Sequence, residues 1–389
     1  MKRRTFISAL CGGTLAAGFG WKQTKLVALD ETSQNGAATE KGSDRAGANK
    51  TENADWLRFE FAEKKMGVPA RIIMHAPDAE TANAAANAVW KRFDELNAAL
   101  SDYDSESEIV RVCRESAQNG APVAISDDLR RTLEESRRFC VLTGGAFDAT
   151  VSPVVKLWRR SRYFNERPPE KILDAAKKTV GLDGWQLTDA GVETAPGVRF
   201  DVGGIAKGFA LDEALETLKT FGIKSALVDA GGDLRLGDAP PGKDGWTIGI
   251  AGLVKDGEPA FYRTLANVGI ASSGDANRYL ELDGVRYSHI IDPRTGEPLT
   301  RRCVATVVAA DATAADALAS AVCVLGLDET PKLLERLKNV DAKEAGVPGR
   351  FETLETILYR VKNDAEPPFT AEKIDVFATP GFADVAKTR

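Results

Sequence analysis

Asp316 and Ser320 stand four residues apart in the run DATAADALASAVCVLG. On a helix that spacing puts a carboxylate and a hydroxyl on one face, where they offer hard oxygen donors to a cation such as Mg²⁺. A plainer reading fits the same run, because Thr313 and Asp316 have the spacing of a capping box and Ser320 is small enough to be a packing residue. A second stretch, RYSHIIDPRTG from Arg286 to Gly296, holds His289, one of two histidines in 389 residues. Imidazole ionises near pH 6.5 and can take a proton in neutral solution, although a lone histidine more often serves structure through hydrogen bonds. Ser288 does not make a nucleophilic pair with it, because neighbours in a strand point to opposite faces. His75, at the end of an apolar run, keeps the structural reading.

Three glycine loops fall where regular elements end. In FDVGGIAKGFALDEALETLKTF, Phe200 to Val202 close an expected strand and an amphipathic helix opens near Ala206. Gly203 and Gly204 would let backbone N–H groups approach a phosphate at the positive end of that helix, and Lys207 adds charge. The pattern is neither a P-loop nor a dinucleotide-binding GxGxxG, and a plain strand-to-helix turn fits it equally. In TGGAFDAT, Thr143 to Thr150, Gly144 has the position of a helix C-cap. DAGGD, Asp229 to Asp233, reads as a hairpin turn at the end of a buried strand.

The elements that must position these residues alternate between the two periodicities. WLRFEFAEKKMGVPARIIMHA predicts two strands joined by a turn. A helix follows from about Asp78 to Leu100, with Val89, Phe93, Leu96 and Leu100 on one face. Another is capped by Ser126, carries Leu129, Leu133 and Phe139, and stops at Gly144. Residues 198–236 read as strand, glycine loop, helix and strand, and a further helix runs from about Thr313 to Gly326. No repeat of fixed period is visible, and the expected fold is one mixed α/β body over 56–389, with no motif after about residue 330.

Composition narrows the partners. With 43% hydrophobic and 28% charged residues the chain can fill a core, and a net charge of −6 gives no global basic field for nucleic acid or anionic lipid. The first residues, MKRRTFISALCGGTLAAGFG, join a basic start to an apolar run too short and glycine-rich for a membrane span. Residues 1–28 are therefore read as an export signal, and Arg3-Arg4 resembles the twin-arginine type that carries folded proteins. Residues 29–55 carry almost no large apolar side chains and are read as a flexible tether. The mature chain is expected in the periplasm or cell envelope, without a transmembrane helix. Cys113, Cys140, Cys303 and Cys323 form no CxxC or Cys/His cluster, which argues against zinc, and Cys140 and Cys323 read as buried thiols.

The ordered set Met66-Gly67, SDYDSESE (Ser101 to Glu108), GGAFDAT, DVGGIAKG, DAGGD, SSGD (Ser272 to Asp275), YSHIIDPRTG and ADALAS resembles the FAD:protein FMN transferase family, also called ApbE. Each motif is weak alone; their joint order and spacing from about residue 57 to 330 are specific. The resemblance implies an ApbE-like fold with T-fold-like sheets packed by helices. It implies an enzyme that splits the pyrophosphate of FAD with Mg²⁺, releases AMP and joins FMN to a Ser or Thr hydroxyl of another protein.

Carried over by position, Met66, Tyr103, Ala146, Phe147, Asp148, Asp201, Lys207 and Ile290 would line the flavin site, with Tyr103 packing on the ring. The main-chain carbonyl of Gly204, with Asp316 and Ser320, would hold the metal. The family more often has Thr where this chain has Ser320, and its TSG reads here as Ser272-Ser273-Gly274. His289 would be the base, with Asp292 orienting it or approaching the metal through water. The family's acceptor motif, D-x-x-[ST]-[ASG]-T, has no full match in this chain; the nearest, Asp78 to Asn83, lacks the final Thr. The acceptor is thus expected to be a separate exported or membrane-bound protein. An FAD pyrophosphatase giving free FMN and AMP, and a non-catalytic FAD-binding protein, are the alternatives.

Overall fold

Ile72 and Met74 point to one side of their strand and Ile73 to the other, and all three are buried. A strand buried on both faces belongs inside a covered sheet. The computed structural model describes residues 56–386 apart from 251, 254–258, 276–278, 364, 366 and 368. The expected export signal and tether lie outside the described residues. Eight strands form one antiparallel sheet: β1 (Leu57–Lys65), β2 (Val68–Ala76), β3 (Ala226–Ala230), β4 (Asp233–Leu236), β5 (Gly269–Gly274), β6 (Cys303–Ala309), β7 (Glu355–Val361) and β8 (Ile374–Ala378). Their order across the sheet is their order in the chain, each pairing antiparallel with the next. The residues beyond 330 that carry no readable motif thus supply the last two strands.

Two tight turns set the register on the side of the sheet that concerns the site. Met66 (φ 48°) and Gly67 (φ 77°) join β1 to β2, while Gly231 (φ 66°) and Gly232 (φ 97°) join β3 to β4. Positive φ at both central residues matches the right-handed twist of paired strands, so the hairpin reading of DAGGD holds.

The longer helices are α1 (Ala79–Leu100), α2 (Glu108–Asn119), α3 (Asp127–Leu142), α4 (Ser152–Phe164), α5 (Glu170–Lys177), α6 (Ala206–Thr220) and α7 (Ala312–Lys338), with short ones at Ala342–Ala345 and Pro380–Ala386. The buried stripe Val89, Phe93, Leu96 and Leu100 of α1 joins Ala210, Ala214 and Leu218 of α6, Leu318, Val322 and Cys323 of α7, and the Ile72 and Met74 side of the sheet in one core. The opposite face is covered by the hairpin Trp246–Ile250/Phe261–Leu265 and by Phe382. Ser126 caps α3 by accepting the Leu129 N–H, and Gly144 follows its end at φ 61°. All four described cysteines are free and buried, and burial pushes the Cys113 thiol up to about 11. His75 Nδ1 lies 3.2 Å from Ser225 Oγ, in keeping with its structural reading. No helix among the described residues is long and apolar enough to cross a membrane.

Two local expectations are corrected. Residues 198–202 form no strand: the Val198 N–H donates to Ala195 O at 3.2 Å in a turn, and the Asp201 N–H makes a single bond to Ala149 O at 2.6 Å, with no ladder on either side. The cap of α7 is Asp311, which accepts the Ala314 N–H at 2.7 Å, and no Thr313/Asp316 capping box forms. The helix does break at Gly326 (φ 67°, ψ −164°) as its sequence suggests, with a second helical segment beyond.

The first turn of α7 touches its neighbours backbone to backbone. A Cβ on Gly208 would stand 2.2 Å from Ala312 O, and one on Gly269 would stand 2.3 Å from Ala312 N. Gly208→Ala must therefore push α6 away from α7, at a cost of about 1–3 kcal/mol or more for overpacking. The expected result is a thermal midpoint lowered by several degrees in calorimetry. An unchanged midpoint would show that the two helices yield freely.

Candidate active site at the contact of two helices and a glycine loop

Two aspartates close the N-terminus of α7. Asp311 is its cap, and Asp212 of α6 accepts the N–H groups of Ala312 (3.0 Å) and Thr313 (2.8 Å) and the Thr313 hydroxyl (2.6 Å). Carboxylates are favoured there by the unpaired N–H groups and the helix dipole. Arg350 in turn binds Asp311 at 2.7 and 2.9 Å, and Arg235 lies 2.8 Å from Asp212. With its first turn satisfied by others, the helix leaves Asp316 free to turn toward α6.

Asp316 is buried and accepts from Lys207 Nζ at 3.1 and 3.2 Å and from the Gly208 N–H at 3.1 Å. Lys207 also lies 2.7 Å from Asp233 Oδ2, at the start of β4, while Asp233 Oδ1 accepts the Ser272 N–H at 3.3 Å. Burial works to deprotonate Lys207, but Asp233 and Asp316 outweigh it and hold its pKa above the ordinary lysine range. Burial likewise pushes Asp233 up to about 6, against the pull of Lys207. The result is a fixed ammonium between two buried carboxylates.

Gly204 brings the glycine loop to the same place. A Cβ there would stand 3.3 Å from Ser320 Oγ and 3.3 Å from Phe147 Cε2. The Gly204 backbone thus lies against the Ser320 hydroxyl, one turn along α7 from the Asp316 carboxylate, and the three carry hard oxygen donors of the kind a small cation takes with few carboxylates. No group of three or more His, Cys, Asp or Glu side chains suited to an ion occurs among the described residues, so an ion here must rest on such a mixed set.

Tyr103 lies on the loop between α1 and α2, 76% exposed, with the Arg159 guanidinium 4.5 Å from its ring centre. Arg159 donates to Asp102 at 2.6 Å and to Asp201 at 2.9 Å, and the other Asp201 oxygen accepts the Gly203 N–H at 2.9 Å. Burial and then the nearby Asp102 raise the Asp201 pKa, with Arg159 opposing.

The remaining expected site residues divide. Ala146 and Phe147 are buried in the main core, Phe147 edge-on to Phe139. The Asp148 carboxylate accepts the Thr150 N–H and hydroxyl at 2.8 and 2.6 Å, a local cap that occupies one of its oxygens. Met66 forms the β1–β2 turn, and the neighbouring Val68 meets Gly231 of the β3–β4 turn. Ile290 is buried, its N–H donating to Ser288 Oγ at 3.0 Å. His289, between those two buried residues, is itself half-buried. The Asp292 carboxylate accepts three bonds from Arg294, at 3.0, 2.9 and 2.8 Å, and so is engaged within its own turn. Arg294 Cγ also lies 3.5 Å from where a Cβ on Gly145 would stand, which ties this turn to the GGAFDAT loop.

Sequence reasoning assigned no role to Asp233, Arg159, Asp102 or Asp212. For Asp233 a signal existed, an acid closing the DAGGD turn just before Leu234; Arg159, Asp102 and Asp212 sit in charged, helical or polar runs where nothing distinguishes them.

An antiparallel sheet backed by helices is a fold this chain shares with solved ApbE proteins. The chain is similar to the flavin transferase ApbE from Vibrio cholerae at a TM-score of 0.68 and 24% identity, over 85% of this chain and 99% of that one. It is similar to the ApbE protein of Thermotoga maritima at a TM-score of 0.70 and 28% identity, over 85% and 100%. Curated relatives include the FAD:protein FMN transferases of Haemophilus influenzae, 35% identical over 62% of this chain and 72% of that protein, and of Treponema pallidum, 33% identical over 73% and 83%. The ApbE family model matches residues 66–343. These likenesses define the chain as an enzyme of the transferase class. It belongs to the ApbE family.

Proposed function

We propose that the chain transfers FMN from FAD to a Ser or Thr hydroxyl of a separate acceptor protein, with Mg²⁺ and with release of AMP. The observation that carries this reading is the meeting of Lys207, Asp316, Ser320 and the Gly203-Gly204 loop at one corner, where an anionic pyrophosphate and a hard cation would both find partners. Gly204, Asp316 and Ser320 would hold the ion, which when bound neutralises charge on the phosphate oxygens. Lys207 keeps a positive charge beside the same oxygens, and Tyr103 offers an exposed aromatic face for the flavin. The acceptor oxygen attacks the phosphorus of the FMN half as the bond to the AMP half breaks, and His289 takes the hydroxyl proton.

Export before the reaction follows from the Arg3-Arg4 signal, placing the acceptor in the cell envelope. The chain's own nearest motif is unsuited to modification, because Asp78 caps α1 and accepts the Thr81 N–H at 2.7 Å.

Incubating the protein with FAD, Mg²⁺ and an acceptor bearing D-x-x-[ST]-[ASG]-T should add one FMN mass to the acceptor and release an equal amount of AMP, read by mass spectrometry. Chelation by EDTA should stop it. Free FMN and AMP without a mass gain would replace this reading by hydrolysis, and FAD bound but intact would replace it by carriage.

A further inference from the structure

Arg159, on α4, makes three contacts that join two loops otherwise far apart in sequence. Its Nη1 donates to Asp102 Oδ2 at 2.6 Å, its Nη2 donates to Asp201 Oδ2 at 2.9 Å, and its flat face covers the Tyr103 ring. Asp102 and Tyr103 belong to the loop after α1; Asp201 opens the glycine loop and holds the Gly203 N–H. The two carboxylates are only 6% and 10% exposed, so they are poorly screened by water. With a cation between them they pull the loops together. Without it, two like charges would face each other across the junction and force the loops apart.

We propose that Arg159 is a positioning residue that clamps the Tyr103 loop to the Gly203-Gly204 loop, holding the aromatic ring at a fixed place for the flavin while its other face stays open. The inference rests on the flavin reading of Tyr103. The chemistry requires a guanidinium, which donates in its plane to two carboxylates while its face stacks on a ring; an ammonium is a point charge and cannot do all three. Arg159 touches neither the reacting atoms nor the metal corner, so its loss should fall on recognition of FAD and not on the chemical step.

The test measures FAD affinity by fluorescence titration, and KM and kcat by acceptor flavinylation, for the wild-type protein, Arg159→Ala, Arg159→Lys and Arg159→Ala/Asp102→Asn. In Arg159→Ala, the Kd and KM for FAD are expected to rise about tenfold or more with kcat within a few fold, as for lost uniform binding. Arg159→Lys should recover part of the loss. Adding Asp102→Asn to Arg159→Ala should also recover part, because it removes the repulsion that the missing cation leaves behind. A merely structural arginine would lower the melting temperature and kcat with KM unchanged, and the second substitution would add damage; that pattern overturns the proposal. Should Arg159→Ala fail to fold, Arg159→Lys keeps the charge and carries the test, an unchanged KM again being fatal. Failure of the wild-type protein to bind FAD would instead sink the flavin reading and this inference with it.

Discussion

Replacing His289 by alanine is expected to slow flavin transfer by about 10²–10⁴-fold, the usual contribution of a positioned general base, while FAD binding and the melting temperature stay close to wild type. The residue is held by its neighbours and not by its own burial. The Ser288 N–H donates to Leu299 O at 2.8 Å, the Leu299 N–H donates to Ile290 O at 2.9 Å, and both Ser288 and Ile290 are buried. Upstream, Arg286 pins the hairpin Tyr279–Leu282/Val285–Ser288 to the end of β5 by donating to the Asp275 carboxylate at 2.9 Å and its carbonyl at 2.8 Å. The backbone at 289 is therefore fixed whichever side chain it carries, so removing the half-buried ring should leave the fold intact. Acceptor mass gain followed over time, beside calorimetry of the same samples, separates the two effects. Transfer within tenfold of wild type would remove His289 from the proton transfer; a large fall in melting temperature would return it to the structural role that a lone histidine ordinarily has.

Much of this scaffold is legible in the chain itself, for local reasons. The apolar stripe of α1, the Ser126 cap of α3 and the glycine turns of both hairpins each depend on residues within a few positions of one another, and each formed as expected. Where a distant residue competes, local reading fails. Thr313 and Asp316 have capping-box spacing, yet Asp212, 101 residues away, takes the Thr313 hydroxyl, and Lys207, 109 residues away, takes the Asp316 carboxylate. Val198, Phe200 and Val202 alternate as in a strand, but all three are buried in the helix-side core and the segment pairs with no strand. The clamp at Arg159 was invisible for the same reason, since its meaning lies in Asp102 and Asp201, 57 and 42 residues away.

The second large effect is expected at Asp316. Asparagine has almost the same shape and keeps an oxygen for the Gly208 N–H, so Asp316→Asn should fold; what it loses is one negative charge opposite Lys207 and at the proposed ion. Transfer should fall about 10²-fold or more, the scale of removing one well-placed electrostatic partner, and the Mg²⁺ concentration for half-maximal activity should rise. Lys207 would keep Asp233 at 2.7 Å, so the ammonium itself stays anchored and the variant isolates the carboxylate's part. Ser320→Ala, removing a neutral donor from the same face of α7, should raise the Mg²⁺ requirement less, and Ser320→Thr should leave it nearly unchanged. A loss of activity in Asp316→Asn with the wild-type Mg²⁺ requirement would confine Asp316 to holding Lys207, and the ion would have to be sought elsewhere. A raised requirement, graded across Asp316→Asn and Ser320→Ala, would place both side chains at one cation, because of the two only Asp316 pairs with Lys207.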